Sequence, residues 1–257
     1  MSTKSIFLLL FTFLLICGCS SKIQDKITTP KIQSCENSIQ FWVEDELKNN
    51  PDLNVEEFKE YIMHTYCGEE ILENAKILTN NGYKSNIEYI KDGKTFHGPY
   101  ISTLRSSVDW IKENIEDDAI ITCLWDYGAM IRGLAQKEVV VAGPSKEIIE
   151  DRKKSNPEYK TIFKEYELTS HSILTDVAQI LVTEDTQDAV QLMKKYNSQY
   201  LLITQEDVYK SSAINRWAVG NYNQPSENAV IFQALSKDLQ GFELIYSNDE
   251  IVIFKII

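Results

Sequence analysis

The chain has 257 residues and a formal net charge of -12, and 43% of its residues are hydrophobic. This length and composition suit a folded body with one good core or two small ones. A negative charge of this size repels nucleic acid and anionic lipid headgroups, so the sequence predicts no nucleic acid partner.

The first residues have the pattern of a processing signal. Lys4 supplies a positive charge, and the apolar run Ile6–Ile16 follows it. The run is too short to span a bilayer, which needs about 20 apolar residues. It ends in Ile-Cys-Gly-Cys, which resembles a lipobox and would make Cys19 the lipidated residue. Residues 1–18 are alternatively an ordinary cleaved signal peptide or an uncleaved anchor. Each interpretation predicts that the rest of the chain lies outside the cytoplasm, in the first case anchored to the cell membrane by lipid.

The next segment, residues 19–34, is polar and predicts a flexible tether. Beyond it, Cys35 and Cys67 flank a predicted helical pair, and an oxidising location would allow a disulfide between them if their geometry permits one. Cys123 lies inside a predicted strand and is expected to be a buried thiol. The three histidines have no metal-ligand spacing, so we predict neither a metal site nor a cofactor.

Residues 35–100 are predicted to form a small helical segment that ends in a β-hairpin. The hairpin strands Asn86–Ile90 and Lys94–His97 would pair around the turn sequence Lys-Asp-Gly. The predicted helices of this segment are Ser38–Lys48, Val55–Tyr66 and Glu69–Thr79.

Residues 101–257 alternate between strand and helix patterns. This alternation predicts an α/β domain with a three-layer arrangement, in which helices flank a mixed sheet that closes with an antiparallel hairpin. The predicted strands are Ala119–Leu124, Glu138–Val141, Tyr200–Thr204, Phe242–Tyr246 and Ile251–Ile256. The predicted helices are Thr103–Ile115, Gly128–Gln136, His171–Leu181, Thr186–Tyr196, Asp207–Val219 and Ser226–Leu239, with a charged segment at Lys146–Lys154.

The first candidate motif is Trp125-Asp126-Tyr127-Gly128, which follows the strand Ala119–Leu124. Strand-to-helix corners at the carboxyl edge of a sheet are where α/β folds present binding groups. The string could supply an apolar wall, a hydrogen-bond acceptor and a close backbone approach. A purely structural interpretation is that Asp126 caps the helix, Trp125 and Tyr127 belong to the core, and Gly128 permits a tight bend.

The second candidate motif follows the strand Tyr200–Thr204. Asp207, Lys210 and Ile214 fall on one face of a predicted helix because of their spacing. Here the structural interpretation is that Asp207 favours the helix dipole and Lys210 is its surface partner.

Taken together, the two motifs resemble the carboxyl-terminal globular domain of the catalytic subunit of oligosaccharyltransferase, the archaeal form in particular. That family has Trp-Trp-Asp-Tyr-Gly at this strand end and Asp-x-x-Lys-x-x-x-(Ile/Met) further along. The resemblance extends from Thr103 to Tyr222. It includes the strings Asp109-Trp110-Ile111-Lys112-Glu113-Asn114, Asp118-Ala119-Ile120-Ile121 and Trp125-Asp126-Tyr127-Gly128.

The resemblance implies a peptide site. In that family the domain lies outside the membrane, and its pocket holds the Ser or Thr two residues after the acceptor Asn. By resemblance, Trp125 and Asp126 would form the hydroxyl pocket, with Tyr127 as its wall. Lys210 and Ile214 would line the far side, with Ile214 against the threonine methyl group.

Two departures from the family shape the functional hypotheses. Leu124 replaces the first Trp of the motif, and the family's metal-binding and lipid-linked sugar sites lie in membrane-spanning segments that this sequence lacks. We therefore assign no catalytic residue and expect no glycosylation by this chain alone. The leading hypothesis is a membrane-tethered extracytoplasmic module that binds extended Ser/Thr-containing peptides or docks on the glycosylation machinery. The alternatives are the soluble part of a split oligosaccharyltransferase and a non-binding scaffold of the cell envelope.

Overall fold

The computed structural model describes residues 43–51, 53–59, 69–80, 83–155 and 165–257. The chain forms two compact units, Met1–Val55 and Glu56–Ile257. Residues 43–49 and 55–59 are helical. The predicted signal, the tether with Cys19, and the cysteines Cys35 and Cys67 lie outside the described residues, and the division at residue 100 stays a prediction. Within the described ranges, no helix is long and apolar enough to cross a membrane.

A four-stranded antiparallel sheet occupies the first part of the second unit. Its strands, in spatial and chain order, are β1 (Glu69–Ile71), β2 (Ala75–Asn80), β3 (Tyr83–Lys91) and β4 (Lys94–Pro99). Strands β3 and β4 are the predicted hairpin, extended at both ends. Its turn residues Asp92 and Gly93 have the positive φ angles, 50° and 71°, that a tight hairpin turn requires.

The predicted helix Glu69–Thr79 is wrong, because this segment forms β1 and β2. Ala75 and Ile77 are buried, whereas the residues between and after them are less so. Ala75 pairs with Tyr89 of the neighbouring strand β3, and Ile77 pairs with Ile87. Burial against a distant strand has thus overridden a local sequence with good helix formers.

The second sheet is mixed and has five strands. Its order is β6-β5-β7-β9-β8, in which β6, β5 and β7 are parallel and β9 and β8 run antiparallel to their neighbours. The fold class and the closing hairpin are therefore confirmed. All five residues of β7 are buried, as expected for a central strand. The strands are β5 (Ile120–Thr122), β6 (Glu138–Val139), β7 (Tyr200–Thr204), β8 (Phe242–Ser247) and β9 (Ile251–Ile256).

Helices flank this sheet. They are α1 (Arg105–Asn114), α2 (Trp125–Met130), α3 (Lys146–Ser155), α4 (His171–Val182), α5 (Thr186–Lys195), α6 (Gln205–Tyr209), α7 (Ser211–Val219) and α8 (Val230–Gln233). A π-helical turn, Ile131–Ala135, continues α2, and 3-10 turns occupy Ser102–Leu104 and Ala234–Ser236.

Three predicted helices differ from the observed ones. The helix predicted from Gly128 begins at Trp125, so the first motif lies inside it. The predicted helix Asp207–Val219 is two helices that meet at Lys210. Of the predicted helix Ser226–Leu239 only a short central part forms, because Ala229 is extended and Lys237 is left-handed.

The α2 helix is held closely on two sides. A methyl group on Gly98 of β4 would lie 2.1 Å from the Ala129 Cβ atom, so helix and sheet are in direct contact there. On another side, a methyl group on Gly128 would lie 2.4 Å from the Val141 carbonyl oxygen. The first motif therefore sits on a rigid element whose position the backbone itself fixes.

Candidate functional site

The two motifs meet at one edge of the mixed sheet. Strands β5 and β7 are parallel neighbours, with Thr122 opposite Leu201. Leu124 and Thr204 are both extended, and each immediately precedes a helix. Because the carboxyl ends of neighbouring parallel strands lie side by side, α2 and α6 begin next to each other.

An ion pair joins the motifs across 84 residues of sequence. The Lys210 Nζ atom lies 3.2 Å from the Asp126 Oδ2 atom and donates a hydrogen bond to it. The same ammonium group lies 2.6 Å from the Glu206 Oε1 atom. The side chain of Asp126 is 13% exposed and that of Lys210 is 32% exposed. This pair is therefore the part of the two motifs that a ligand can reach.

Burial and charge act in opposite directions on this pair. Burial raises the pKa of the Asp126 carboxyl, and the nearby Lys210 ammonium opposes that rise. Burial also acts to lower the pKa of Lys210, but the carboxylates of Asp126 and Glu206 raise it more, so that the pKa lies above its usual value. The raised pKa keeps Lys210 positively charged at neutral pH, and its ammonium group donates a hydrogen bond to Asp126.

Trp125 is buried beside this pair. Only 3% of its surface is exposed, and the guanidinium carbon of Arg152 lies 5.5 Å from the centre of its ring. The neighbouring Asp151 forms a salt bridge of 2.6 Å with Arg216 of α7. Helix α3 is therefore tied to α7 and holds a cation over the aromatic residue of the first motif.

Tyr127 and Asp207 form a second, fully buried link between the motifs. The Tyr127 hydroxyl lies 2.7 Å from the Asp207 Oδ1 atom, to which it donates, and 2.7 Å from the Thr204 hydroxyl. The Asp207 carboxylate also accepts a hydrogen bond from the Thr204 backbone N–H, and the Thr204 hydroxyl accepts one from the Asp207 backbone N–H. The last two bonds form a capping box at the start of α6.

Burial determines the titration of this network. It raises the pKa of the Asp207 carboxyl to about 7, although the hydrogen bonds from Thr204 and Tyr127 favour the charged form. Burial likewise raises the pKa of the Tyr127 hydroxyl, which stays protonated.

The structural interpretation of the first motif is confirmed only in part. Trp125 and Tyr127 are in the core, but Asp126 is not the helix cap, because Leu124 occupies that position. Gly128 permits a close backbone approach rather than a bend.

The other predicted site residues differ in their exposure and in their contacts. The structural interpretation of Lys210 as the surface partner of Asp207 is wrong, because Lys210 pairs with Asp126 and Glu206 and Asp207 is buried away from it. Ile214 on α7 is fully buried. Asp207 is fully buried as well and contacts Tyr127, and Cys123 is a buried free thiol, as predicted. The structure thus brings together Asp126 with Lys210, and Tyr127 with Asp207, as two separate contacts.

Three residues that the sequence analysis did not single out also contribute to this site. Thr204 could have been found from the capping-box spacing Thr-x-x-Asp, and Glu206 from its position four residues before Lys210. Arg152 had no such signal, because only the tertiary fold brings α3 against Trp125.

Two cavities in the described part of the chain lie beside α7, and Asp126 lines neither of them. The larger, of about 790 Å³, lies among α4, α5, α7 and the loop 220–226. The smaller, of about 500 Å³, lies between α3 and α7 and includes Asp151 and Arg216. Within the same part of the chain, no group of three His, Cys, Asp or Glu side chains is arranged to hold a metal ion.

These features define a mixed α/β domain with paired polar residues at the carboxyl edge of its sheet. No protein-family model matches the chain, and no curated protein matches it either. Among solved structures, it is similar to the crystal structure of the C-terminal globular domain of oligosaccharyltransferase from Archaeoglobus fulgidus. The match covers 62% of this chain and 99% of that chain, at 18% identity and a TM-score of 0.46.

Two structures of longer proteins also match. One is the archaeal oligosaccharyltransferase from Archaeoglobus fulgidus in complex with an inhibitory peptide and a dolichol-phosphate; the match covers 59% of this chain and 23% of that chain, at 12% identity and a TM-score of 0.42. The other is an Archaeoglobus fulgidus oligosaccharyltransferase tethered with an acceptor peptide containing the NVT sequon; the match covers 62% of this chain and 19% of that chain, at 14% identity and a TM-score of 0.34. The solved structures that match are thus those of the family that the two motifs resemble.

Proposed function

We propose that this protein is a membrane-tethered, extracytoplasmic module that binds extended Ser/Thr-containing peptides at the Asp126–Lys210 pair. The observation that carries the proposal is the 3.2 Å contact between two charged side chains from separate motifs at a sheet edge. Both remain partly exposed, whereas Trp125, Tyr127 and Ile214 of the same motifs are buried. A partner in the glycosylation machinery would present the same kind of peptide segment to this edge.

The chemistry of the pair suits a peptide hydroxyl. A Ser or Thr hydroxyl would donate to the Asp126 carboxylate, and the one proton of Lys210 that neither Asp126 nor Glu206 accepts suits a peptide carbonyl. A hydrogen bond to a charged group contributes about 1.5–3 kcal/mol, and one buried methyl group about 0.8 kcal/mol. The exposed ring of Tyr209, next to Lys210, offers apolar surface for the peptide. Trp125, Tyr127 and Ile214 would form the packed backing of the site.

One observation favours a second candidate function, a scaffold whose site no longer binds. The predicted pocket residues Trp125, Tyr127 and Ile214 are almost completely buried, and Asp126 is already paired with Lys210 of the same chain. In a scaffold, this pair would only join α2 to α6.

The test is peptide binding to the purified full chain, measured by fluorescence anisotropy with labelled Asn-Val-Thr and Asn-Val-Ala peptides. We expect the wild type to prefer the Thr peptide by about tenfold or more and Asp126→Asn to lose that preference. Asp176→Asn is a matched control, because Asp176 is 17% exposed and forms a 2.5 Å pair with Lys195. Equal affinity of the wild type for both peptides would contradict the proposal and favour the scaffold.

A further inference from the structure

A second concave site shares no residue with the Asp126–Lys210 pair. This site, called the amide groove here, lies among the ends of α4, α5 and α7 and the loop 220–226. Its volume of about 790 Å³ falls within the range of small-molecule sites.

The lining of the amide groove is rich in neutral polar groups. The lining also contains two carboxylates, Glu184 and Asp188, and apolar side chains such as Val182 and Leu192. It contains no Lys, Arg, His or aromatic residue. Each side-chain amide has both donors and an acceptor. The amide residues are Gln179, Gln191, Asn215, Asn221, Asn223 and Gln224.

Several of these amides are fixed in place before any ligand arrives. The Asn215 side chain, only 7% of which is exposed, donates to the Asn221 Oδ1 atom at 3.1 Å and to the Asn223 carbonyl oxygen at 3.0 Å. The Ser211 hydroxyl donates to the Gln224 Oε1 atom at 2.6 Å. These bonds hold the loop 220–226 against α7. These bonds use the Asn215 Nδ2 atom and the Gln224 Oε1 atom. The Asn215 Oδ1 atom and the Gln224 Nε2 atom are left for a ligand.

The same lining excludes most classes of ligand. Phosphates, carboxylates and nucleic acids are bound through Arg and Lys, and the groove has neither. Peptides are bound at an exposed strand edge, in a hydrophobic groove as a helix, or on aromatic residues as a polyproline helix. The walls of the amide groove are helices and a loop, most of its lining residues are polar, and none of them is aromatic. None of these three peptide modes fits it.

We propose that the amide groove binds a neutral saccharide. Sugar hydroxyls both donate and accept, so they match the amides of Gln179, Gln191 and Gln224, and they can donate to Glu184 and Asp188. The C–H faces of a sugar ring would pack on the apolar part of the lining. This is a second binding activity, independent of the peptide site.

The test is a titration of the purified full chain with neutral trisaccharides of glucose, mannose and N-acetylglucosamine, followed by calorimetry and by saturation-transfer NMR. We expect at least one of them to bind, and Gln191→Ala and Gln224→Ala to weaken that binding about tenfold each. Both side chains are exposed, so neither change should unfold the protein.

Two variants serve as controls for this titration. Gln187→Ala changes an exposed amide on the same helix as Gln191 but outside the groove, and it should leave saccharide binding unchanged. Asp126→Asn should also leave it unchanged, which separates this proposal from the peptide site. The inference would be overturned if no trisaccharide binds at millimolar concentration. It would also be overturned if the groove variants bind sugar like the wild type, or if they weaken peptide binding instead.

Discussion

The corner where the two motifs meet has a buried half and an accessible half, and they serve different purposes. In the buried half, Tyr127, Thr204 and Asp207 share hydrogen bonds and hold α2 to α6. In the accessible half, Asp126 and Lys210 form a partly exposed pair. Successive residues of one motif thus alternate between fixing the corner and presenting a charge. Changes in the buried half should therefore alter stability, and changes in the accessible half should alter binding.

The largest effect is expected for Gly128→Ala, which disturbs the element that carries both halves. The added methyl group would lie 2.4 Å from the Val141 carbonyl oxygen and 2.6 Å from the Ala142 Cα atom, and backbone atoms cannot easily move. We expect a loss of about 3–5 kcal/mol in the free energy of unfolding, measured in urea. Gly220→Ala is the control: it has a positive φ angle but open space around it, so it should cost only about 1 kcal/mol.

The second effect is a pH dependence that originates in the buried half. The pKa of Asp207 is about 7 in the folded protein, above the ordinary 3.8, so the folded state binds a proton more tightly than the unfolded state. Its contribution to stability is therefore full below about pH 4, falls as the pH rises towards 7, and is lost above it. The free energy of unfolding of the wild type minus that of Asp207→Asn should fall by roughly 2–4 kcal/mol over this interval. A difference that rises with pH would contradict this assignment.

The third effect is the removal of one hydroxyl from the buried half. Tyr127→Phe deprives the Asp207 carboxylate of a hydrogen bond in a buried site, and we expect a loss of about 1–3 kcal/mol in the free energy of unfolding. Peptide affinity of the folded variant should change little, because Tyr127 is only 1% exposed. If Tyr127→Phe is as stable as the wild type but binds peptide poorly, the assignment of stability to the buried half and of binding to the accessible half is wrong.

The smallest effect on stability is expected for Asp126→Asn. Its partner Lys210 is 32% exposed and keeps a second carboxylate, Glu206, so the loss in the free energy of unfolding should stay below about 1 kcal/mol. Chemical denaturation of Asp126→Asn and of Tyr127→Phe under the same conditions compares their free energies of unfolding directly. A loss larger than that of Tyr127→Phe would show that the pair is mainly structural.

The sequence predicted the parts of the fold whose patterns are local. Strand β7 has the predicted bounds Tyr200–Thr204, the hairpin of β3 and β4 was found from its turn residues, and the closing hairpin of β8 and β9 was also predicted. Strands β1 and β2 were missed, because Glu69–Thr79 looks helical by itself and becomes a sheet only by pairing with β3.

The candidate site was predictable to the same degree. The family resemblance implied that Lys210 lies across the pocket from Asp126, and the structure brings these two residues into contact. The burial of Ile214 and the position of Arg152 over Trp125 could not be predicted, because both depend on how α7 and α3 pack. The amide groove was not predictable either, since its residues come from three helices and a loop.

The most direct test of the central claim is a double-mutant cycle on peptide affinity, with Asp126→Asn, Lys210→Met and the double variant titrated with the Asn-Val-Thr peptide. If the pair binds the peptide as a unit, each single variant should lose about tenfold or more in affinity, and the double variant should lose little beyond either single one. If all three variants bind the peptide as tightly as the wild type, the pair is a structural link between α2 and α6 and the proposed peptide site does not exist.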